Sequence, residues 1–178
     1  MSIALETERL ILRPLGAQDV EPHIKMMQDE RIAAYLTIDG KTRSYADEWR
    51  AAASYIGHWQ IRGYGFFSVF EKASGDWLGR VGPWNPGGWI GLECGWSISA
   101  DHWGQGYAPE AAIATMKWTF ETFQDVDRIV SVIDPTNVNS QRVAEKIGET
   151  KTDEIFDYGS FKLNVWACQR DQWLSAFG

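Results

Sequence analysis

Residues 102–112 read HWGQGYAPEAA and carry the strongest local signal in the chain. Gly104 and Gly106 flank a glutamine, and Pro109 follows where a helix is expected to begin, since proline has no N–H to lose at the first helical position. A helix N-terminus has unsatisfied N–H groups and a partial positive charge, and glycine lets a ligand approach the backbone closely. The segment therefore predicts either an ordinary turn into a helix or a site for an anionic group such as phosphate.

The segments that flank this turn predict a strand–helix–strand unit over residues 89–133. Residues 89–98, WIGLECGWSI, predict a long strand that runs directly into the turn. Apolar residues then recur at helical spacing, namely Ile113, Met116, Phe120 and Phe123. Residues 128–133, RIVSVI, form a continuous apolar run, which is typical of a buried parallel strand. In such units ligands bind at the carboxyl end of the first strand, which is where the glycine-rich turn falls.

The rest of the chain predicts further strands and helices before and after this unit. Strands are expected at residues 8–13, 66–71, 77–84, 150–156 and 161–167, and helices at 20–27, 31–35, 45–61 and 140–147. In the helix at 45–61 the face expected to meet the core consists of Trp49, Ala53, Ile56 and Ile61. The sequence thus predicts a single domain over residues 1–178 of the α+β (α/β-like) class. Its central sheet is expected to be mixed and largely antiparallel, with about seven strands and helices on both faces.

Composition narrows the classes of function. The chain has 178 residues, of which 44% are hydrophobic, so it can bury a sizeable core. It has no apolar run of the roughly 18 residues that a transmembrane helix needs, and its N-terminus lacks the pattern of a signal peptide. We therefore expect a cytoplasmic protein with no membrane partner. The net charge of −7 disfavours a nucleic-acid partner, and it either favours cationic acceptors such as amines or only keeps the protein in solution.

Cysteine and histidine are too few and too scattered to predict a metal site. Cys94 and Cys168 suggest neither a disulfide framework nor a metal cluster. The three histidines, His23, His58 and His102, lack the spacing of metal ligands, and each is expected at the surface or in packing. We expect no metal in the site.

Four blocks in order resemble the GNAT superfamily of acyl-CoA-dependent N-acetyltransferases. Residues 103–111, WGQGYAPEA, fit that family's pyrophosphate-binding loop, Q/R-x-x-G-x-G/A, with Trp103 at the Q/R position, Gly106 at the central glycine and Ala108 at the last place. The other blocks, LETERLILRPL at 5–15, LECGWSIS at 92–99 and NVNSQRVAEKIG at 137–148, are similar to the branch that contains the ribosomal-protein N-terminal acetyltransferases. The C-terminal segment FKLNVWACQRDQW at 161–173 is also similar to the end of that branch.

The resemblance implies the GNAT fold and transfer of an acetyl group from acetyl-CoA to a primary amine in a ternary complex. The acceptor would be a protein N-terminus, a polyamine or a small-molecule amine, and the family suggests a homodimer. The alternative is a non-catalytic acyl-CoA-binding sensor or scaffold. The resemblance implies that the pantetheine arm of the cofactor contacts the backbone of Trp96, Ser97 and Ile98. The pyrophosphate would be held by the N–H groups of the turn, namely those of Trp103, Gly104, Gln105, Gly106, Tyr107 and Ala108. Asn137 would lie near the arm and Ser140 near the thioester sulfur. Arg142 and Lys146 would reach the CoA phosphates.

The chemistry requires a base and a group that stabilises the leaving thiolate. Alkylamines have a pKa of about 10.4 and α-amino groups about 8, so the acceptor must lose a proton. Glu93, at the position of a glutamate frequent in the branch, is either the general base or a solvated or salt-bridged strand residue. A backbone N–H of the same strand would polarise the carbonyl. Ser140 either stabilises the thiolate or satisfies backbone groups in the first turn of its helix, with Tyr107 and Tyr158 as alternatives.

Several neighbouring residues admit a structural interpretation. Alternation along the strand directs Cys94 to the sheet face opposite Glu93, which disfavours an acetyl-cysteine intermediate. Asn139 is expected to cap a helix. Trp84, Trp89 and Trp96 either line an acceptor pocket or fill the core. The segment WNPGGW at 84–89 departs from the branch and predicts a hairpin tip near the acceptor.

Overall fold

Eight strands form one sheet in the computed structural model, which describes residues 3–37, 39–159 and 161–178 apart from the side chains of Tyr158 and Phe161. The strands are β1 (Leu5–Glu6), β2 (Leu10–Pro14), β3 (Phe67–Glu71), β4 (Trp77–Trp84), β5 (Glu93–Ile98), β6 (Arg128–Ile133), β7 (Thr150–Tyr158) and β8 (Phe161–Gln169). Their order in the sheet is β1-β2-β3-β4-β5-β6-β8-β7, and all neighbours pair antiparallel except β5 and β6, which are parallel. The prediction of a mixed, largely antiparallel sheet is confirmed, and the strand added to the expected seven is the two-residue β1.

In the described residues, six α-helices cover the two faces of this sheet. They are α1 (Val20–Met27), α2 (Glu30–Leu36), α3 (Tyr45–Arg62), α4 (Tyr107–Thr122), α5 (Val138–Lys146) and α6 (Arg170–Phe177). Arg80 and Val81 are consecutive on β4 and so point to opposite faces. The ring of Tyr55 on α3 lies 4.6 Å from the Arg80 guanidinium, whereas Val81 belongs to the core that α4 covers. Helices therefore lie on both faces, as predicted.

The main core lies between the sheet and α4. It includes Leu12, Phe67 and Cys94 from the strands, together with Met116 and Phe120 from α4. Fully burying a side chain such as Phe120 stabilises the fold by about 1.5–3 kcal/mol. The same helix begins at the glycine-rich turn, so its burial also holds the start of the helix beside the end of β5.

The predicted core-facing side of α3 is wrong. Trp49 is 51% exposed and Ile61 is 81% exposed, whereas Glu48, Ala52 and His58 are buried. Polar side chains occupy this buried side because they find partners there: the Glu48 carboxylate lies 3.6 Å from the His23 ring, and His58 Nδ1 is 2.8 Å from the Tyr64 carbonyl oxygen. Apolar spacing alone did not reveal a helix whose buried side carries paired polar groups.

Several element boundaries differ from the sequence expectations, and two of them lie beside the glycine-rich turn. β5 begins at Glu93, because residues 85–92 form a loop that contains Pro86 and three glycines. α4 begins at Tyr107 after a left-handed Gly106 (φ 83°), which places Pro109 at the third helical position, where the N–H is still unpaired. The C-terminal α6 was not predicted, and it is anchored by the buried Trp173, whose indole N–H donates to the Ile147 carbonyl at 2.7 Å.

Candidate active site

β5 and β6 separate towards the carboxyl end of β5. The two strands pair at only one position, Glu93 with Val130, while β5 pairs with β4 from Glu93 through Ile98. Past this pair β5 has a backbone edge that β6 does not cover. The Ser99 N–H donates to Leu78 of β4 at 2.8 Å, so alternation turns the backbone groups of Trp96 and Ile98 to the open side. The fold thus presents peptide groups of β5 to any extended ligand that lies between the strands.

Some of these peptide groups already have partners. Ser131 of β6 donates its hydroxyl to the Cys94 carbonyl at 2.8 Å, and the Trp103 indole N–H donates to the Ile98 carbonyl at 2.7 Å. The backbone N–H and C=O of Trp96 face the opening between them. The backbone groups of Ser97 face β4, so any contact of Ser97 with a ligand would come from its side chain.

The glycine-rich turn places the first turn of α4 at the end of β5. Gly104 and Gly106 have φ angles of 77° and 83°, in the left-handed region that side chains rarely adopt. Arg9 supports the turn, because its guanidinium donates to the Gln105 carbonyl at 2.9 Å and pairs with Glu110 of α4 at 2.6 Å. The same guanidinium lies 4.6 Å from the centre of the Tyr107 ring. The helix N-terminus is therefore held in place with its free N–H groups directed at the neighbouring cleft.

That cleft has a volume of about 500 Å³ and joins the turn to β5 and α5. It brings together most of the predicted cofactor residues: Trp96, Ser97, Ile98, Trp103, Gly104, Gly106, Tyr107, Ala108, Asn137 and Ser140. Gln105 does not line the cleft, and its carbonyl faces Arg9 instead. Arg142 and Lys146 of α5 lie in the wall as well. A helix N-terminus, two cations and an unpaired strand edge fit a ligand with phosphate groups and an extended arm.

Ser140 and Asn137 lie where α5 begins. Asn137 is the N-cap of α5, and its side-chain oxygen accepts from the Ser140 N–H at 3.0 Å. The expectation that Asn139 caps the helix is wrong, because Asn137 takes this position and Asn139 lines the cleft. The Ser140 hydroxyl accepts from the Trp96 indole at 3.3 Å, and this bond spans the gap between β5 and α5. The hydroxyl is thus directed at the open strands.

Glu93 lies at the point where β5 and β6 separate. Its carboxylate accepts from the Trp89 indole at 2.7 Å and from the backbone N–H of Val132. The side chain is almost completely buried, and this burial raises the pKa of Glu93 to about 7, while the two hydrogen bonds and the charge of Arg80 oppose the rise. A carboxylate with this pKa exchanges a proton near neutral pH, which is the range in which a general base is most effective.

Glu93 also lines a second cavity of about 640 Å³, which adjoins the cleft. Both spaces share Trp96, Ser97, Asn137 and Ser140 in their walls. Trp84, Trp89 and Trp96 all line this second cavity, so the structure favours the pocket interpretation over a place in the core. The segment at 84–89 contributes its two end residues to the wall, and Trp89 is the donor to Glu93. That bond depends on how the loop folds back, and no spacing in the sequence indicated it.

The other candidate residues are placed less favourably for chemistry. Tyr107 donates its hydroxyl to the Glu71 carboxylate, which raises the pKa of the phenol. The Tyr158 side chain lies outside the described residues. Cys94 is buried against α4 on the face opposite Glu93, and burial raises the pKa of its thiol well above the usual value. In the described part of the chain no three His, Cys, Asp or Glu residues come together as metal ligands. Within the same part no helix combines the length and the apolar character needed to cross a membrane.

Comparisons with known proteins identify the family. Residues 9–150 match the acetyltransferase (GNAT) domain. The crystal structure of an acetyltransferase from Agrobacterium tumefaciens is 31% identical with a TM-score of 0.81, and the match covers 94% of this chain and 95% of that chain. The protein YkkB of Bacillus subtilis is 38% identical over 91 residues, which are 49% of this chain and 52% of YkkB, so this match spans about half the length of that curated relative.

A more distant structure has the same fold. Spermidine N-acetyltransferase from Vibrio cholerae, in complex with CoA and spermine, is 18% identical with a TM-score of 0.72, and the match covers 94% of this chain and 99% of that chain. The family match extends from β2 to the start of β7 and therefore includes the separated strands, the glycine-rich turn and α5. The resemblance inferred from the sequence is confirmed: this chain belongs to the GNAT acetyltransferase family and is an enzyme of that class.

Proposed function

We propose that the protein transfers the acetyl group of acetyl-CoA directly to a primary amine, with Glu93 as the general base. The observation that carries this proposal is that the Glu93 carboxylate, at the separation of β5 and β6, lines a cavity that adjoins the cleft and shares Trp96 and Ser140 with it. One cavity offers groups suited to phosphates, and the other offers aromatic walls and a carboxylate with a pKa near neutrality. A two-substrate transfer needs both spaces to open on the same point.

Acetyl-CoA is proposed to occupy the cleft beside the glycine-rich turn. The N–H groups at the start of α4 would hold the pyrophosphate, and Arg142 and Lys146 would reach the phosphates. The pantetheine arm would run along β5, where the backbone of Trp96 faces the gap. The directions of the peptide groups support this path, and an arm that followed it would bring the thioester towards Glu93 and Ser140.

The acceptor amine is proposed to enter the second cavity and lose its proton to Glu93. An alkylammonium with a pKa of about 10.4 gives its proton more easily to a carboxylate with a pKa of about 7 than to an ordinary carboxylate with a pKa of about 4.3. The gap in pKa falls from about 6 pH units to about 3, and each unit is worth about 1.4 kcal/mol. The buried position of Glu93 therefore reduces the cost of forming the neutral amine.

The amine nitrogen then attacks the thioester carbonyl carbon. A C–N bond forms, the C–S bond breaks, and the electron pair of that bond leaves on sulfur. Glu93 already holds the proton that the ammonium lost, so the second proton, released from nitrogen as the C–N bond forms, goes to the leaving sulfur and gives the CoA thiol. The Ser140 hydroxyl stabilises the sulfur by a hydrogen bond while negative charge develops on it. A serine hydroxyl is too weak an acid to donate its proton fully, so its role here is stabilisation. The backbone N–H of Trp96 would polarise the thioester carbonyl oxygen.

The class of acceptor follows from the resemblance and from the neighbours. The Vibrio cholerae structure is a spermidine N-acetyltransferase, and the resemblance also includes enzymes that acetylate protein N-termini. For this chain we propose a primary amine on a small molecule, polyamine or peptide. A cytoplasmic location and a homodimer are parts of the same proposal, and light scattering coupled to size-exclusion chromatography tests the second.

Glu93→Gln tests the base. General-base catalysis contributes about 10²- to 10⁴-fold, so turnover at neutral pH should fall by at least about 10²-fold while CoA still binds. Turnover is measured as CoA thiol released over a panel of amines, and CoA binding as thermal stabilisation compared with ATP. Glu154→Gln is the matched control, because it removes the same charge from an exposed residue of β7. Undiminished turnover in Glu93→Gln would remove Glu93 from the mechanism, and absence of stabilisation by CoA would remove the cofactor assignment.

A further inference from the structure

Arg80 is a buried cation that forms no ion pair with any of the described carboxylates. It lies in the middle of β4 and is 8% exposed. Its guanidinium lies 4.0 Å from the centre of the Phe66 ring and 4.6 Å from that of Tyr55. Among the residues that the structure describes, it makes no ion pair within 4.0 Å, and its Nε is buried without a hydrogen-bond partner.

Two arginines at the nearby strand β2 are neutralised. Arg9, just before β2, pairs with Glu110 at 2.6 Å. Arg13, on β2, pairs with Asp19 at 2.7 Å. Removing a guanidinium from water is costly unless the charge is paired and its N–H groups are satisfied. Two aromatic rings compensate part of that cost. Nε alone is buried without a partner, and the terminal N–H groups of Arg80 line the cavity, where the described residues supply no acceptor.

A second unpaired polar group lies beside Arg80. Ser97 of β5 is its direct cross-strand partner, and the Ser97 hydroxyl is buried without a hydrogen-bond partner in the described residues. Directly opposed residues have Cβ atoms about 5 Å apart, so the Ser97 hydroxyl lies beside the start of the Arg80 side chain on the same sheet face. Both residues line the second cavity. Both side chains therefore bring unpaired donors to the wall of one cavity.

This donor set lies on the same sheet face as Glu93. Glu93 and Ser97 are four residues apart on β5, so alternation puts their side chains on one face of the strand. The Phe66 ring lies between them, since a Cβ placed on Gly95 would be 2.9 Å from the edge of that ring and 3.7 Å from a Glu93 oxygen. The Arg80 guanidinium stacks on the same ring and its charge acts to lower the pKa of Glu93, so a carboxylate and a cation lie on one aromatic floor of the cavity.

We propose that Arg80 and Ser97 bind a carboxylate of the acceptor, whose amine is placed at Glu93. This inference rests on the proposed function and adds the substrate class: an amine that carries an acidic group several bonds away. Other charges in the cavity wall do not replace Arg80. Arg43 lies 3.4 Å from Glu48, and the Asp134 carboxylate accepts from the backbone and hydroxyl of Thr136. Asp39, also in the wall, would instead favour a second ammonium group, and the experiment includes that outcome.

The test uses three straight-chain amines of equal length, aminohexanoate, aminohexanol and diaminohexane, with the full-length protein. We expect kcat/KM for aminohexanoate to exceed that for aminohexanol by about tenfold or more, as for a charge-assisted bidentate pair. Arg80→Met should bring this ratio close to one, and Arg80→Lys should restore part of it. Arg50→Met is the matched control, because Arg50 is 71% exposed on α3 and its loss changes net charge equally. That control should keep the native ratio.

A binding measurement separates this inference from the proposed function. Hexanoate cannot be acetylated, and it should stabilise the native protein and Arg50→Met against thermal unfolding but not Arg80→Met. If no amine is acetylated while hexanoate binds through Arg80, the proposed function fails and the anion site stands. If amines are acetylated with no preference for aminohexanoate, or with a preference for diaminohexane, the inference is overturned. Should Arg80→Met fail to fold, the same comparison is made between the native protein and Arg80→Lys, in which the preference should be weaker.

Discussion

Replacing Trp89 by phenylalanine removes one of the two N–H groups that the Glu93 carboxylate accepts. The indole bond is 2.7 Å long, and the ring of Trp89 also packs against Phe156 with 4.9 Å between centres, a contact that phenylalanine can keep. A hydrogen bond to a charged group is worth about 1.5–3 kcal/mol, which corresponds to about 1 to 2 pH units. Because this bond favours the ionised form, its loss raises the pKa of Glu93 above the native value of about 7.

The consequence is a change in the pH dependence of turnover. At pH 7 about half of the native Glu93 is ionised, whereas in Trp89→Phe about a tenth to a hundredth would be. Turnover at pH 7 should therefore fall roughly 5- to 50-fold and recover most of this loss near pH 9. The assay is kcat with saturating substrates between about pH 6 and pH 9.5, and the ratio of the two profiles cancels the ionisation of the acceptor.

Trp84→Phe is the control for this experiment. Trp84 lines the same cavity and stacks on Phe66, but its indole makes no bond to Glu93 in the described part of the chain. Its replacement should leave the acid limb of the kcat profile at the native position, whatever it does to KM. If the limb of Trp89→Phe does not move, or moves to lower pH, then Glu93 is not the group whose ionisation limits turnover.

Two further predictions concern stability and the glycine-rich turn. Burial raises the pKa of Glu149 to about 8, so the folded state holds the Glu149 proton more tightly than the unfolded chain does. The contribution of Glu149 to stability is therefore full below about pH 4.3, the pKa in the unfolded chain, and it is lost as the pH rises towards 8. Glu149→Gln, whose amide N–H can donate to the Ser131 hydroxyl oxygen, should therefore raise the melting temperature at pH 8.5 but not at pH 4.5, and an equal change at both values would contradict this. Gly106→Ala puts a side chain at φ 83°, which costs about 1–2 kcal/mol and should lower the melting temperature by about 2–8 °C and weaken CoA binding. Gly75→Ala, at φ 78° in the β3–β4 turn, should lower the melting temperature similarly without affecting CoA, and an equal loss of CoA affinity in both variants would contradict the assigned turn.

The sheet and its parallel crossover could be predicted because each depends on local patterns. RIVSVI at 128–133 and the helix at 20–27 have the predicted bounds, since short apolar runs and helical spacing are properties of neighbouring residues. The C-terminal α6 escaped prediction because its burial depends on Trp173 meeting Ile147 and Phe120 from distant parts of the chain. α3 was assigned the wrong buried side because Glu48 and His58 are buried through partners on other elements.

The sequence by itself determined the family and the candidate set of residues, because the glycine-rich turn, the strand before it and the NVNSQRVAEKIG block are contiguous segments with recognisable order. It also placed Glu93 and Cys94 on opposite faces through the two-residue period of a strand. Only the tertiary structure decided what surrounds those residues. The separation of β5 from β6, the Trp89 indole on Glu93 and the buried Arg80 beside Ser97 arise from elements far apart in the chain. Burial and charge at a site depend on what packs around it, and no local pattern records that.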